Sequence, residues 1–472
     1  MSGLQILVGD PPCQFEHPGT PLEILIAIIL RLMNLTQETQ SLLENVLRHP
    51  EVHLDGIFWF LNAVHMAVMA LAAWYAYRLS KSLCFAIALF LPSLVYLTLP
   101  SKFGYDQVLV VISNVAPEHL LISAGYFYVM VCLYSLQRHR KETMGEALLW
   151  GGICAFGLTT KLTFFPLVIL AYVFLRSLRQ RLVYSLALLV FAVYCTWPVA
   201  PIYFQIFKWF LKLSSHTGPY GSGEVGLLPL SVYVPNVLFM FKQHVFLAVL
   251  AVIGLLTLAL KKDPPAPQDA AASFDIRNRH IIGIACVILV QFFLAAKFPQ
   301  PHYMVPAYGL AGLLAGALYL RFRSRKGVTK AFAVLLMLVM MVQSVRAYAY
   351  AGHLAKRMSD FKAFSEKVHK EHPGCLIIGF INSSSVPLAL FFANGWYYCN
   401  TFSPLLEKLY PESYFYNAWT GWISNFTYNV KVAELKKRYP CLMLYGYPQQ
   451  EWKTNMLEPV DRYDKEMLYR IK

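Results

Sequence analysis

The sequence predicts a mainly α-helical fold: a polytopic membrane bundle of about ten spans with a small C-terminal extracytoplasmic α/β domain. Three observations predict it. The chain has 472 residues, 57% of them hydrophobic and only 14% charged, with a mean hydropathy of +0.47. A soluble domain carries about 25% charged residues. Apolar runs recur along the chain, and basic residues cluster at alternate ends of those runs.

The runs that read as spans are 56–79, 82–99, 117–137, 145–159, 162–177, 182–199, 235–260, 281–296, 303–322 and 330–347. A spanning helix needs about 20 apolar residues, and several runs are at or below that length. Runs 145–159 and 162–177 form a hairpin around Thr159-Thr160-Lys161, with a buried re-entrant pair as the alternative. Residues 1–55 read as an outer loop with juxtamembrane helices, 56–347 as the bundle and 348–472 as the extracytoplasmic domain. Leu22 to Met33 is too short to span and includes Glu23 and Arg31, which suits a helix lying in the interface. Within the bundle, the Pro- and Ala-rich stretch from Lys262 to Ser273 reads as a cytoplasmic linker.

The net charge of +15 would fit nucleic acid, but its placement excludes that partner. The cations gather at Arg78 and Lys81, at Arg138 and Arg140, at Arg176 and Arg179, at Lys261 and Lys262, and at Arg321 to Lys326. Short loops rich in Lys and Arg stay cytoplasmic, so all five clusters fall on one side. With the first span running inward, both termini are outside.

In the C-terminal region, residues 352–370 read as a charged amphipathic helix. The runs Cys375 to Ile381 and Cys441 to Tyr445 read as strands, and 386–393 and 430–438 as helices. Cys13, Cys375, Cys399 and Cys441 would face an oxidising compartment, where a disulfide between two of them is allowed; the spacing leaves the pair open. Asn34, Asn382 and Asn425 stand in N-glycosylation triplets. Trp396, Trp419 and Trp422 suit either stacking on sugars or core packing.

Ionisable residues at membrane depth or at the mouth of a bundle are expensive, which makes them functional candidates. The outer side collects Asp10, Glu16 and His17, then Asp106, Glu118 and His119, then Lys161, then His216 with Lys208, Lys212 and Glu224, and last Lys297, His302 and Tyr303. Carboxylates can act as a general base or hold a divalent cation. Lysine and histidine can neutralise a phosphate. Plainer readings stand beside these. Glu118 follows Pro117 and suits a helix N-terminus, Lys161 suits a snorkelling anchor, and the His302-Tyr303 pair suits an interfacial belt. Asp10, Glu16 and Asp106 suit solvated loops. Gly218 to Gly223 has no strand before it and reads as a mobile outer loop rather than a nucleotide loop.

Three segments together resemble the GT-C superfamily of polytopic glycosyltransferases, the class of protein O-mannosyltransferases and aminoarabinose transferases. Glu16-His17-Pro18-Gly19-Thr20-Pro21-Leu22 resembles the His-Pro-Pro-Leu segment of the family's first outer loop. Gly157-Leu158-Thr159-Thr160-Lys161 resembles its Gly-Leu-x-x-x-Lys hairpin, one residue shorter. Lys297 with His302-Tyr303 and Pro306 resembles its late Arg-Tyr-x-x-Pro element, with His for Arg.

The resemblance implies an enzyme that takes a sugar from a polyprenyl phosphate at the outer face and passes it to a protein, lipid or glycan acceptor. It implies Lys161, Lys297, His302 and Tyr303 at the donor phosphate, and His17, Asp106, Glu118, His119 and His216 around the cavity. Metal use varies across the superfamily. The family's catalytic acid precedes the His-Pro element by more than the sixteen residues ahead of His17. The resemblance therefore implies a further helix and an acid before Met1, and leaves Glu16 and Asp10 as the candidates within the chain. A lipid or solute transporter, and a catalytically inactive GT-C-like structural protein, are the competing classes.

Overall fold

Each run read as a span folds as helix over its described residues, because a backbone in hydrocarbon must satisfy its own N–H and C=O groups. The computed structural model describes residues 1–12, 19–90, 115–137, 143–218, 221–257, 276–322, 326–380, 385–395, 400–417, 422–446, 457–463 and 466–472. Glu16, His17, Asp106, Cys13, Cys399, Asn382, Trp396 and Trp419 lie outside them.

The N-terminal helices are α1 (Ser2–Leu7), α2 (Thr20–Met33) and α3 (Thr39–Arg48). Then come α4 (Pro50–Ser80), α5 (Leu83–Ala88), α6 (Glu118–Ser135), α7 (Met144–Thr160), α8 (Phe165–Phe174) and α9 (Leu178–Cys195). They are followed by α10 (Tyr203–Ser215), α11 (Leu230–Gln243), α12 (Val245–Leu256), α13 (Asn278–Ala295), α14 (Val305–Phe322) and α15 (Lys326–Glu371). The chain divides into two compact units: Phe15–Ile29 with Asp55–Ala349, and Met1–Gln14 with Leu30–Leu54 and Tyr350–Lys472.

Among the described residues the protein has several helices fit to cross a bilayer, fewer than the ten runs predicted. Among the described residues five are long and apolar enough: Pro50–Ser80, Leu178–Cys195, Asn278–Ala295, Pro301–Phe322 and Thr329–Glu371. A sixth is added if α11 and α12, bent by 90° at His244, count as one span. The shortfall has local causes. Run 162–177 breaks into a 3-10 turn at Leu162–Phe164 and the ten-residue α8, which rises about 15 Å at 1.5 Å per residue, about half the hydrocarbon thickness. Glu118 and His119 occupy the first turn of α6 and shorten its apolar stretch. Of run 82–99, residues 91–99 lie outside the described part.

In the first unit, α14 is the central helix. Its best apolar window is 78% buried, whereas that of α9 is only 17% buried and presents its side chains outward. Gly309, Gly312 and Gly316 line one face of α14. Gly309 meets the backbone of Gly125 on α6, Gly312 meets Ala88 and Leu89, and Gly316 meets the ring of Phe85. Close backbone approach through small residues is how membrane helices gain packing where no hydrophobic drive exists between them.

In the second unit, a seven-stranded mixed sheet runs in the order β4-β3-β2-β1-β5-β7-β6. The strands are β1 (Leu376–Phe380), β2 (Tyr414–Asn417), β3 (Trp422–Ser424), β4 (Asn429–Val430), β5 (Leu442–Gly446), β6 (Leu457–Tyr463) and β7 (Glu466–Ile471). β1 pairs in parallel with both β2 and β5. Strands in a parallel core are covered on both faces, and every residue of β5 is buried. That explains why 375–381 and 441–445 read as unbroken apolar runs. At one edge β4 is two residues long, and at the other β6 carries Pro459, Asp461 and Arg462, features that discourage edge-to-edge pairing.

The remaining helices are α16 (Val386–Gly395), α17 (Ser403–Leu409) and α18 (Val432–Arg438). Phe364 and Val368 of α15 pack on Met443, Tyr445 and Leu468. No break in secondary structure marks the region of residue 348: α15 is one helix of 46 residues, and the division between the units, at Ala349 and Tyr350, falls inside it. Gly352 sits in open space within it and costs about 1 kcal/mol, too little to break a stretch rich in Ala, Lys and Arg. Cys375 and Cys441 form a disulfide at the starts of β1 and β5. α1 and α3 belong to this unit, where Gln5 Nε2 donates to Thr401 Oγ1 (3.0 Å) and Tyr410 Oη to the Leu47 carbonyl (2.8 Å).

The two described sequon asparagines are structural. Asn34 is buried and its Nδ2 donates to the Leu30 carbonyl (2.9 Å). Asn425 is buried too. Its Nδ2 donates to Glu407 Oε1 (3.0 Å), and its Oδ1 accepts from the backbone N–H groups of Thr427 (2.9 Å) and Tyr428 (2.8 Å).

Candidate functional site

Pro117 leads into α6, which puts Glu118 in its first turn, where a carboxylate meets the positive end of the helix dipole. A buried carboxylate also needs a direct partner. Lys161 supplies it: its Nζ donates to Glu118 Oε1, with the two side chains only 14% and 4% exposed.

The hairpin aims that lysine. The hydroxyls of Thr159 and Thr160 donate back to the carbonyls of Ala155 (2.8 Å) and Phe156 (2.7 Å), in the last turn of α7. Lys161 is then fully extended, and Leu162–Phe164 turns the chain into α8. Gly157 makes the turn possible, because a Cβ there would sit 2.5 Å from the Phe164 ring.

Tyr303 completes the group. It lies in the 3-10 turn Pro301–Met304 ahead of α14, and its carbonyl accepts from Nε2 of the buried Gln291 (2.7 Å). Lys161 Nζ stands 5.3 Å from the centre of the Tyr303 ring, a cation–π distance. The His302 ring meets Tyr303 edge-on at 4.5 Å. The charges of Lys161 and His302 both act on Glu118. Beside Glu118, His119 is buried with its ring edge-on to Phe58 at 6.2 Å, within electrostatic reach of His65.

Glu118, His119, Lys161, His302 and Tyr303, chosen from three distant stretches of sequence, therefore come together. Sequence reasoning missed His65 and Gln291. The rule that selects ionisable residues at membrane depth points to His65, within run 56–79. No signal marks Gln291 before α13 and the 3-10 turn are seen side by side.

Other predicted residues sit elsewhere. Lys297 Nζ donates to the carbonyls of Leu213 and Ser214 at the end of α10, where a cation offsets the negative end of the helix. Burial pushes the Lys297 ammonium below its ordinary value. His216 Nδ1 lies 3.1 Å from both Ser215 Oγ and the Lys212 carbonyl, and its backbone bridges to Val225. The loop that follows is tied across itself by Thr217 N–H to the Glu224 carbonyl (2.9 Å) and Gly218 N–H to the Ser222 carbonyl (2.8 Å). Asp10 is exposed just after α1 and belongs to the other unit.

The Lys161 ammonium thus bears on one buried carboxylate, with the His302 and Tyr303 rings beside it. An incoming anion can share Lys161 and His302 with Glu118, and the Tyr303 ring backs the lysine. Among the described residues no group of three or more His, Cys, Asp or Glu side chains is placed to hold a metal ion. No family model, no curated protein and no solved structure matches this chain.

Proposed function

We propose that this chain is a membrane glycosyltransferase of GT-C type that moves a sugar from a polyprenyl phosphate to a protein, lipid or glycan acceptor. One observation carries the reading: the buried Glu118–Lys161 pair against His302 and Tyr303. An anion-ready group of this kind suits a phosphate leaving group. In the reaction the acceptor oxygen attacks the anomeric carbon, a carboxylate takes the acceptor's proton, and the electron pair of the breaking bond goes to the phosphate. Cations that meet that developing charge lower the barrier. Lys161, His302 and Tyr303 take the phosphate role, with Glu118 and His119 lining the cavity. Of the two base candidates that the sequence offers, Glu16 and Asp10, Asp10 falls in the other unit.

Orientation supports an outer or lumenal active face, in an endoplasmic reticulum or bacterial inner membrane. The basic loops favour the cytoplasm, and the disulfide of the C-terminal region favours an oxidising compartment.

The test is turnover by the full chain in nanodiscs, supplied with dolichyl- and undecaprenyl-phosphate sugars and a membrane extract as acceptor. Release of polyprenyl phosphate is expected. Lys161→Ala and His302→Ala should each lower it by about 10²–10³-fold, the scale of removing one preorganised stabilising group. No release from any donor, with both substitutions silent in cells, sinks the reading.

The 90° break at His244 favours a second reading, a lipid or solute transporter, since discontinuous helices build transport sites. Donor-free flux of a labelled lipid or solute across proteoliposomes separates the two.

A further inference from the structure

The second unit holds a trough of about 940 Å³ that the site above does not use. Its position follows from the sheet. Phe364 and Val368 of α15 cover β5 and β7 on one face. Beside them the trough follows β1 and β2, floored by Cys375, Ile377, Gly379 and Phe415. Lys362, Glu366 and His369 of α15 wall one side, and Ser385, Val386 and Pro387 at the start of α16 close another. The lining gathers at the starts of β1 and β2, from His372 to Ile377 and from Glu412 to Phe415.

The lining selects the chemistry. Glu51, Glu366 and Glu412 bring three carboxylates against the single ammonium of Lys362. With His369 and His372 neutral the trough carries a net charge of −2, and with both protonated it is balanced. In neither state does it attract an anion, which argues against phosphates and nucleotides. The half-buried Tyr439 offers an aromatic surface, held edge-on against the buried Tyr414 at 6.4 Å. Rings stack on the C–H faces of sugars, and carboxylates are strong acceptors for hydroxyl donors. Ligand clefts run from about 300 to 1,000 Å³, so this one has room for more than one sugar ring.

We infer that this trough binds a neutral carbohydrate, with Tyr439 as the stacking platform and Glu412 as a hydroxyl acceptor. Within the transferase reading it names the acceptor as a glycan, but binding itself requires no transfer.

The experiment presents the full chain, fluorescently labelled in nanodiscs, to an array of neutral and anionic glycans, with basic peptides spotted alongside. Retention of neutral glycans is expected. Tyr439→Ala and Glu412→Gln should each weaken the best of them tenfold or more, while Tyr439→Phe keeps binding because it keeps the ring. Thermal melts of the variants show that they remain folded. The inference is overturned if no neutral glycan is retained, if only peptides or anionic glycans are retained, or if Tyr439→Ala and Glu412→Gln both bind as the parent does. A chain that binds glycan but transfers no sugar overturns the transferase alone. One that transfers sugar with both variants unaltered in acceptor KM and glycan retention overturns the trough alone.

Discussion

Removing the Lys161 ammonium would leave the Glu118 carboxylate buried without its hydrogen-bonding partner. Breaking a buried pair from one side costs about 3–5 kcal/mol, so Lys161→Ala should lower the melting temperature of the purified protein sharply. Lys161→Met combined with Glu118→Gln should recover much of that loss. Equal melts for the single and double variants would contradict the pairing. A second residue gives a pH signature. Burial holds the Glu407 carboxyl above its ordinary value. Its folded-state pKa therefore exceeds the unfolded one, so its contribution is full below the unfolded value and fades as pH rises through the folded value. Melts of Glu407→Gln between pH 4 and 7 should fall less with rising pH than those of the parent. Part of the candidate site was legible at this scale: Glu118, Lys161, His302 and Tyr303 stand out as charged or polar residues at the ends of apolar runs, whereas Gln291 does not. Where each side chain points was not. Lys297 shares the composition of Lys161, yet it serves the carbonyls of α10, and only the path of the loop decides that.

At the scale of elements, the glycine face of α14 sets how closely the helices approach. A Cβ at position 316 would lie 1.9 Å from the ring of Phe85, which is fully buried. Gly316→Ala should destabilise by about 1–3 kcal/mol, the usual range for overpacking, and Phe85→Leu should restore part of it; thermal melts of the single and double variants measure both. The positions of the helices were visible as apolar runs, but the number of spans was not. A window of apolar residues looks alike in a spanning helix and in a hairpin arm such as α8, whose length is fixed by the turn at Lys161. The same limit hid the length of α15. Its amphipathic end and its apolar start read as two elements, and nothing in the sequence breaks the helix between them.

For the molecule as a whole, the disulfide ties residues 66 positions apart. In the chain-entropy account a loop of that size stabilises by about 4 kcal/mol. Reduction, or Cys375→Ser, should therefore lower the melting temperature of the sheet-bearing unit, read by its own tryptophan fluorescence. Maleimide labelling of the native protein should find neither Cys375 nor Cys441, and reduction should make both reactive. The strands were legible from their apolar runs, and so was the possibility of a bridge. The strand order was not, because it depends on crossovers through α16, α17 and α18 that leave no periodic trace.

The burial of Asn34 and Asn425 bears on how the protein can be made. In a host that scans emerging chains for Asn-x-Thr, either asparagine can receive a glycan before it folds away. A glycan on Asn425 Nδ2 would displace its bond to Glu407 and could not be housed in the seat that the side chain fills. Yield in such a host becomes a race between folding and modification. Thr36→Val, Ser384→Ala and Thr427→Val together erase all three triplets, and Asn425 Oδ1 keeps its two backbone donors. That version should give a single homogeneous species where the natural sequence gives a mixture.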